Sequence, residues 1–475
     1  MSKVLVYEIG STTTLVNAFA DLDTENPRFI GGAQAPTTVA QGDVTLGLRQ
    51  ALEELRTSFP EESFINTRIL ASSSAAGGLR MTVHGLVEDM TVKAAKEAAL
   101  GAGANISFLT SGKLRRTDIS KITEVNPNII LIAGGVDYGE RDTAIYNAEL
   151  IVALPLKVPV IYAGNCENDE EIKLIFEEAG KGELLRIVEN VYPRIDQLNV
   201  LPTRKVIQEV FEEHIVHAKG MEKIREIVDS HVVPTPGSVM LATELLASLC
   251  ADVMTIDVGG ATTDVHSVTQ GSEEIGRILI SPEPLAKRTV EGDLGLFVNH
   301  ENIIHSFIDK ELEKASGLNE EELNYELDHY NSIPERKNAK KLVQALTQKA
   351  VITSAHRHAG HLIDLFFSGG KKSAAMGKDL TKIRAIIGTG GALTQLEGGE
   401  EILLSIPASN KGDRLLPQEG VRVFLDHWYI MASLGVLSME HPVSALKLLL
   451  ESLSLEEDEF CFDDLTDAQS DDTNE

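Results

Sequence analysis

The chain has 475 residues, 43% apolar and 24% charged, which is enough apolar content for full cores and too much length for one compact domain. Its formal net charge of −29 argues against DNA, RNA or an anionic membrane as main partner, because binding phosphate backbones needs clustered Lys and Arg. No apolar run approaches the roughly 20 residues that cross a bilayer. Met1-Ser2-Lys3-Val4 runs straight into an apolar strand, without the pattern of a secretory leader.

In chain order, Val4–Ile9, Leu15–Ala20 and Phe29–Ala35 read as three consecutive strands, with a helix over 43–59. Strands near 67–72, 128–133, 158–163 and 185–189 alternate with helices near 91–102, 141–154 and 168–180. That alternation predicts a mostly parallel sheet with crossover helices. A long helix is expected over 203–228. The Pro234-Thr235-Pro236-Gly237 turn then leads into a helix over 238–250.

There the pattern restarts. Strands are expected at Val253–Val258, 264–268 and Ile275–Ile280, then helices over 298–315, 319–329 and 336–367. A strand at Ile383–Ile387 and a last helix over 427–453 follow. Two halves that open alike, strand, glycine turn, strand, strand, then helices, form a weak repeat of architecture. The expected division is a lobe over 1–236 carrying an inserted α/β segment at about 104–230, a second lobe over 237–454, and a tail over 455–475. The tail holds ten Asp or Glu and no Lys or Arg, and reads as a disordered solubilising segment.

Cys166, Cys250 and Cys461 are far apart and form no CxxC pair, so neither a disulfide framework nor a zinc site is expected, and a reducing cytoplasm fits. They read as two core thiols and one tail thiol. His356, His358 and His361 fall on one expected helix as a polar face. Ser72-Ser73-Ser74 ends a strand, but GxSxG is absent and no hydrolase triad can be assigned. Glu291-Gly292-Asp293 reads equally well as a loop near a cleft or as a capped turn. Lys340-Lys341 and Lys371-Lys372 read as solvated faces.

Three segments carry chemistry. Glu8-Ile9-Gly10-Ser11-Thr12-Thr13-Thr14 and Asp257-Val258-Gly259-Gly260-Ala261-Thr262-Thr263-Asp264 share a design: a carboxylate ending an apolar strand, glycine, then hydroxyl residues. The glycines allow a tight turn whose N–H groups approach a phosphate, the hydroxyls add donors, and the carboxylate can hold Mg²⁺ through water. Gly388-Thr389-Gly390-Gly391 ends a strand with room for a flat base and ribose. Neither a Walker P-loop nor a GxGxxG fingerprint is present.

The second segment resembles the second phosphate hairpin of the Hsp70/actin/sugar-kinase superfamily, the first resembles its first hairpin, and Gly388–Gly391 resembles its adenosine motif. Val233-Pro234-Thr235 resembles the connecting segment. Further stretches narrow the resemblance: Ser73-Ser74-Ala75-Ala76-Gly77-Gly78-Leu79-Arg80-Met81, Ile132-Ala133-Gly134-Gly135-Val136-Asp137, Tyr162-Ala163-Gly164-Asn165, Thr289-Val290-Glu291-Gly292-Asp293-Leu294-Gly295, Arg357-His358-Ala359-Gly360 and Leu415-Leu416-Pro417. Together these are similar to the glutamate mutase accessory protein family, from about residue 4 to about 453.

The resemblance implies a two-lobed, actin-like (ribonuclease H-like) α/β ATPase with a nucleotide cleft between lobes. It also implies a chaperone that reactivates an adenosylcobalamin-dependent mutase or aminomutase by releasing damaged cobalamin. Backbone N–H groups of 10–13 and 259–262 would hold the phosphates of ATP or ADP, Asp257 and Glu8 would flank Mg²⁺, and Asp264 or Glu8 would orient water. Three positions depart from the superfamily: Glu8 where most members have Asp, Leu15 where many have Lys, and Val233 where Hsp70 has Glu. They imply slow hydrolysis or none, whereas Asp257, Thr262 and Asp264 are intact, so nucleotide binding is expected more firmly than turnover. Rival readings are a small-molecule kinase, a non-hydrolysing nucleotide-switched module, and an actin-like filament protein.

Overall fold

A computed structural model describes residues 3–10, 13–38, 41–65, 67–74, 79–215, 220–221, 223–229, 232–249, 252–367, 370–456 and 460. Strand β1 (Lys3–Ile9) is apolar along nearly its whole length because it is buried on both faces, as a central strand must be. It pairs antiparallel with β2 (Thr13–Ala20), which pairs antiparallel with β3 (Arg28–Pro36). The helix Thr45–Ser58 then crosses over, burying Leu48, Ala51 and Leu55 at helical spacing, and places β4 (Arg68–Ser73) parallel to β1.

Between β4 and its next neighbour the chain builds a second sheet. β5 (Leu79–Gly85), β6 (Ala104–Ser111), β7 (Ile129–Ile132), β8 (Val160–Tyr162) and β9 (Leu185–Ile187) are all parallel, in the order β6-β5-β7-β8-β9. Helices Lys93–Gly101, Arg116–Val125, Asp142–Val152 and Asp169–Glu178 connect them. The chain returns through the helix Val200–Ile215 to β10 (Val232–Pro234), parallel to β4. The first sheet therefore has the order β3-β2-β1-β4-β10.

The next half repeats that order. β11 (Val253–Val258), β12 (Thr263–Val268) and β13 (Ala286–Glu291) form an antiparallel meander. After four helices and the hairpin β14 (His361–Phe367) and β15 (Gly370–Met376), β16 (Ala385–Thr389) and β17 (Arg422–Leu425) add in parallel, giving β13-β12-β11-β16-β17.

The helices that follow the fifth strand of each sheet, Thr235–Ala247 and Met431–Leu437, cross between the two lobes. A Cβ on Gly435 would lie 1.8 Å from the Ser238 carbonyl oxygen, so only glycine lets the two backbones meet there. Val4, Val233, Val239, Leu246, Leu434 and Leu437 form a core around this crossing. Each fully buried aliphatic side chain contributes about 1.5–3 kcal/mol.

Several sequence expectations are corrected. The third strand of the second meander is Ala286–Glu291; Ile275–Ile280 contributes only the short helix Glu273–Gly276 and its following turn. The helix expected over 336–367 ends at His358, where Gly360 precedes a strand, so His361 lies on β14. The expected 298–315 helix is two, His300–His305 and Glu311–Ser316. The expected 427–453 helix is also two, Met431–Leu437 and Pro442–Ser452, with Pro442 opening the second as proline does at a first helical turn. Of the expected 203–228 helix, Val200–Ile215 is helical and Ile224–Glu226 is only a short 3-10 turn, while 216–219 and 222 lie outside the described residues.

Cys166 is exposed rather than in a core. Cys250, Cys461 and nearly all of the acidic tail lie outside the described residues, as do Ser11, Thr12 and 75–78. Among the described residues, no helix is long and apolar enough to cross a membrane.

Candidate functional site

The two glycine hairpins close in the same way. Gly10 N–H donates to the Thr13 carbonyl at 2.9 Å, and Gly259 N–H donates to the Thr262 carbonyl at 3.0 Å. In register, Glu8 stands opposite Leu15, and Asp257 opposite Asp264. Both hairpins face one cleft of about 310 Å³ between the lobes, lined among others by Glu8, Gly10, Thr13, Asp257, Gly259, Gly260, Ala261, Thr262, Asp264 and Thr389. A second compartment of about 300 Å³ adjoins it around Thr13, Gly259, Gly260 and Tyr429. It is walled by Gly391, Ala392 and Leu396 on one side and Phe297, Tyr330, Ile333 and Lys340 on the other.

Not every expected residue reaches these spaces. Thr14 is buried, its hydroxyl 2.9 Å from that of Thr37. Thr263 is buried and donates its hydroxyl to the Leu294 carbonyl. Gly388 and Gly390 are buried at the end of β16 without lining either compartment. Lys340, expected on a solvated face, borders the second compartment.

The second hairpin is prepared by a loop behind it. Leu296 N–H donates to the Gly259 carbonyl at 3.1 Å, Phe297 and Val298 N–H both donate to the Gly260 carbonyl at 2.8 Å, and Asn299 Nδ2 donates to the Ala261 carbonyl at 3.3 Å. A Cβ on Gly295 would lie 2.2 Å from the Ala261 carbonyl carbon, so the loop seats against the hairpin only with glycine there. The carbonyls of the hairpin are thus occupied. The N–H groups of Gly260, Ala261 and Thr262 donate to no group among the described residues. Successive amides of this kind form an anion-binding concavity.

The carboxylates have distinct surroundings. Glu8 is 7% exposed and accepts a bond from the Ser433 hydroxyl at 3.3 Å; burial, with Asp257 and Asp426 adding to it, pushes its carboxyl up to about 8. Burial, then Asp264, pushes Asp257 up to about 7, with Arg288 opposing. Asp264 is 3% exposed, pairs with Arg288 at 3.2 Å and accepts from the Thr262 hydroxyl at 3.2 Å. Glu8 and Asp257 form a site short of positive charge, and their hard oxygens suit Mg²⁺. Among the described residues no cluster of three or more His, Cys, Asp or Glu could hold an ion by side chains alone.

Three contributors were not visible in the sequence reading. Asp426, fully buried, accepts from the Thr389 and Ser452 hydroxyls and from the Ile430 and Met431 N–H groups, and so ties β16 to the crossing helices. Tyr429 lines both compartments, and Arg288 lines the first but not the second. Asp426 and Tyr429 act through tertiary contacts, and Arg288 sits in a Lys-Arg pair that reads as a solvated face.

The other candidates are placed as follows. Arg357 binds Glu291 at 2.6 Å and Asp293 at 2.7 and 2.9 Å, so both carboxylates turn away while Gly292 lines the cleft. His358 bonds the Ser267 and Thr289 hydroxyls, and His356 bonds Ser409. Thr235 donates to Ser72 at 3.3 Å. Val233 is buried in the core between the lobes, with no carboxylate in its place.

Two sheets with the same 3-2-1-4-5 order, each meander opening on a hairpin that faces one cleft, with crossing helices beneath, define a two-lobed protein of the actin-like (ribonuclease H-like) ATPase fold. The family model described as MutL protein matches residues 4–453. Protein MutL of Clostridium tetanomorphum is 33% identical over 465 residues, spanning 95% of this chain and 99% of that one. The chain belongs to the MutL protein family. Among solved structures, the nucleotide-free diol dehydratase-reactivating factor is 12% identical, covering 93% of this chain and 100% of its own, with a TM-score of 0.38. A xylulose kinase from Lactobacillus acidophilus is 11% identical, covering 97% and 91%, with a TM-score of 0.31.

Proposed function

We propose that this protein is a cytoplasmic, ATP-dependent reactivating chaperone for an adenosylcobalamin-dependent mutase or aminomutase. The observation that carries the nucleotide part is the convergence of Glu8 and Asp257, from two separate hairpins, on one cleft beside unspent backbone amides. The mutase part rests on membership of the family and on the motifs quoted above for it.

In this reading the amides of Gly260, Ala261 and Thr262, with those that follow Gly10 in the first hairpin, hold the phosphates of ATP or ADP, and Asp257 and Glu8 hold Mg²⁺; the Gly259 and Gly10 N–H groups are spent closing their own hairpins. The ion supplies charge neutralisation of the phosphates. Asp264 or Glu8 orients water. The second compartment takes the base and ribose beside Gly391, with Gly388, Thr389 and Gly390 setting the strand end behind it. The lobes, 1–236 and 237–454, turn about the crossing of helices Thr235–Ala247 and Met431–Leu437, and that motion opens the mutase and releases damaged cobalamin.

The test is phosphate release from Mg-ATP by the purified protein, alone and with a cobalamin-inactivated mutase, with Asp257→Ala as control. Stimulation by the inactive mutase, absent in the control and accompanied by recovered mutase activity, is the expected result. Measurable ATP binding without hydrolysis in any mixture would replace this reading with a nucleotide-switched scaffold. Leu15 and the missing carboxylate at Val233 are what favour that second reading.

A further inference from the structure

Arg288 is the one cation among the described residues that line the first compartment, and it is 1% exposed. Its Nη2 donates to Asp264 at 3.2 Å. Its Nη1 donates to the Leu100 carbonyl at 3.0 Å. Leu100 lies in the last turn of the helix Lys93–Gly101, where a cation is favoured, and its carbonyl also accepts from the Gly103 N–H at 2.9 Å. One guanidinium therefore joins a cleft carboxylate of the second lobe to a helix end in the first-lobe half of the chain.

Its Nε–H has no partner among the described residues. A buried arginine serving only as a strut would have its donors satisfied, because an unpaired buried donor costs about 1–3 kcal/mol. The compartments also have an order. The second one, walled by Gly391 and Ala392, reaches the first across Gly259 and Gly260, and Arg288 lines the first compartment alone. A ligand with its base in the second compartment and its phosphates beyond Gly259 and Gly260 would enter the compartment that Arg288 lines.

We propose that Arg288 discriminates the terminal phosphate of a nucleoside triphosphate and reports it to the lobe contact, a role that rests on the nucleotide reading above. Its planar, permanently charged fork suits a phosphate. A phosphate in the first compartment draws the guanidinium off the Leu100 carbonyl, which takes the cation from the end of the helix Lys93–Gly101 and loosens its packing on β13, while the Gly103 N–H stays on that carbonyl. Other ties of this helix to the second half of the chain, such as Lys93 to Glu283 at 2.6 Å just before β13, lie outside the cleft and do not sense the ligand directly.

The experiment titrates the full chain with a non-hydrolysable Mg-ATP analogue and with Mg-ADP by calorimetry, and follows amide exchange over 93–104. The wild type is expected to prefer the triphosphate and to exchange faster over 93–104 with it than with ADP. Arg288→Gln should lower the triphosphate preference about tenfold or more, as loss of a charged hydrogen bond does, while ADP affinity stays within about threefold. Arg288→Lys keeps the charge without the fork, and should keep part of the preference and lose the exchange response. An unchanged preference in both variants, or equal loss of both nucleotides in both, overturns the proposal and leaves Arg288 a strut. If the wild type binds neither nucleotide, the nucleotide reading falls and takes this assignment with it.

Discussion

Replacing Glu8 with glutamine tests the electrostatics of the cleft without a nucleotide. The Glu8 carboxyl is buried, and burial together with Asp257 and Asp426 pushes it up from 4.5 to about 8. The folded protein therefore holds a proton that the unfolded chain has already released. Stability is lost as pH climbs from the ordinary carboxyl range towards that raised value. At about 1.4 kcal/mol per unit, the loss near pH 7.5 is ~4 kcal/mol at most, and ~2–4 kcal/mol once neighbours relax. The amide introduced by Glu8→Gln cannot ionise, so the variant should keep what the wild type loses. In thermal melts of the ligand-free protein, the Tm drop from pH 5 to pH 8 should be smaller in Glu8→Gln by roughly 2–4 °C. Added Mg²⁺ should recover part of the wild-type loss at pH 8 and little in the variant, because the ion neutralises a charge that the variant lacks. Parallel melting curves for the two proteins across that range would refute the reasoning.

Three further outcomes are expected. Gly295→Ala should weaken Mg-nucleotide binding in calorimetry about tenfold or more, because its Cβ would sit 2.2 Å from the Ala261 carbonyl carbon and push the hairpin off its supporting loop. Asp426→Asn should cost ~2–4 kcal/mol in denaturant unfolding, since the new amide would face hydroxyl and N–H donors that now share a carboxylate. Arg357→Ala should cost ~1–2 kcal/mol in the same assay, with part of the difference shrinking in salt, because the Asp293 side chain is 47% exposed while Glu291, its other partner, is only 13% exposed.

The parts of the fold that the sequence disclosed are those where local chemistry and final environment agree. β1 and β11 are continuous apolar runs and are central strands, and the glycines after them turn where turns were expected. β13 escaped notice because Lys287 and Arg288 make it read as surface. In the fold both are buried, Lys287 donating to the Thr269 carbonyl and Arg288 pairing with Asp264. Ile275, Ile278 and Ile280 instead suggested a strand by their own apolar character, but no meander partner receives them. At β14, Leu362, Ile363 and Leu365 continue a plausible helical pattern past His358, and only the pairing with β15 decides for a strand. Asp426 and Tyr429 belong to the cleft through contacts with β16 and the crossing helix, which no local pattern records.

The loop behind the second hairpin has a consequence for sequence variation at the site. Its N–H groups and Asn299 cover the carbonyls of Gly259, Gly260 and Ala261, so the hairpin presents donors towards the cleft and acceptors towards the protein. The sign of the ligand is written in the main chain, one layer behind the residues that line the cavity. Side chains at 260–262 can therefore vary in type without reversing it. A change at 295–299 that never meets the ligand can alter anion affinity as much as a change in the wall itself.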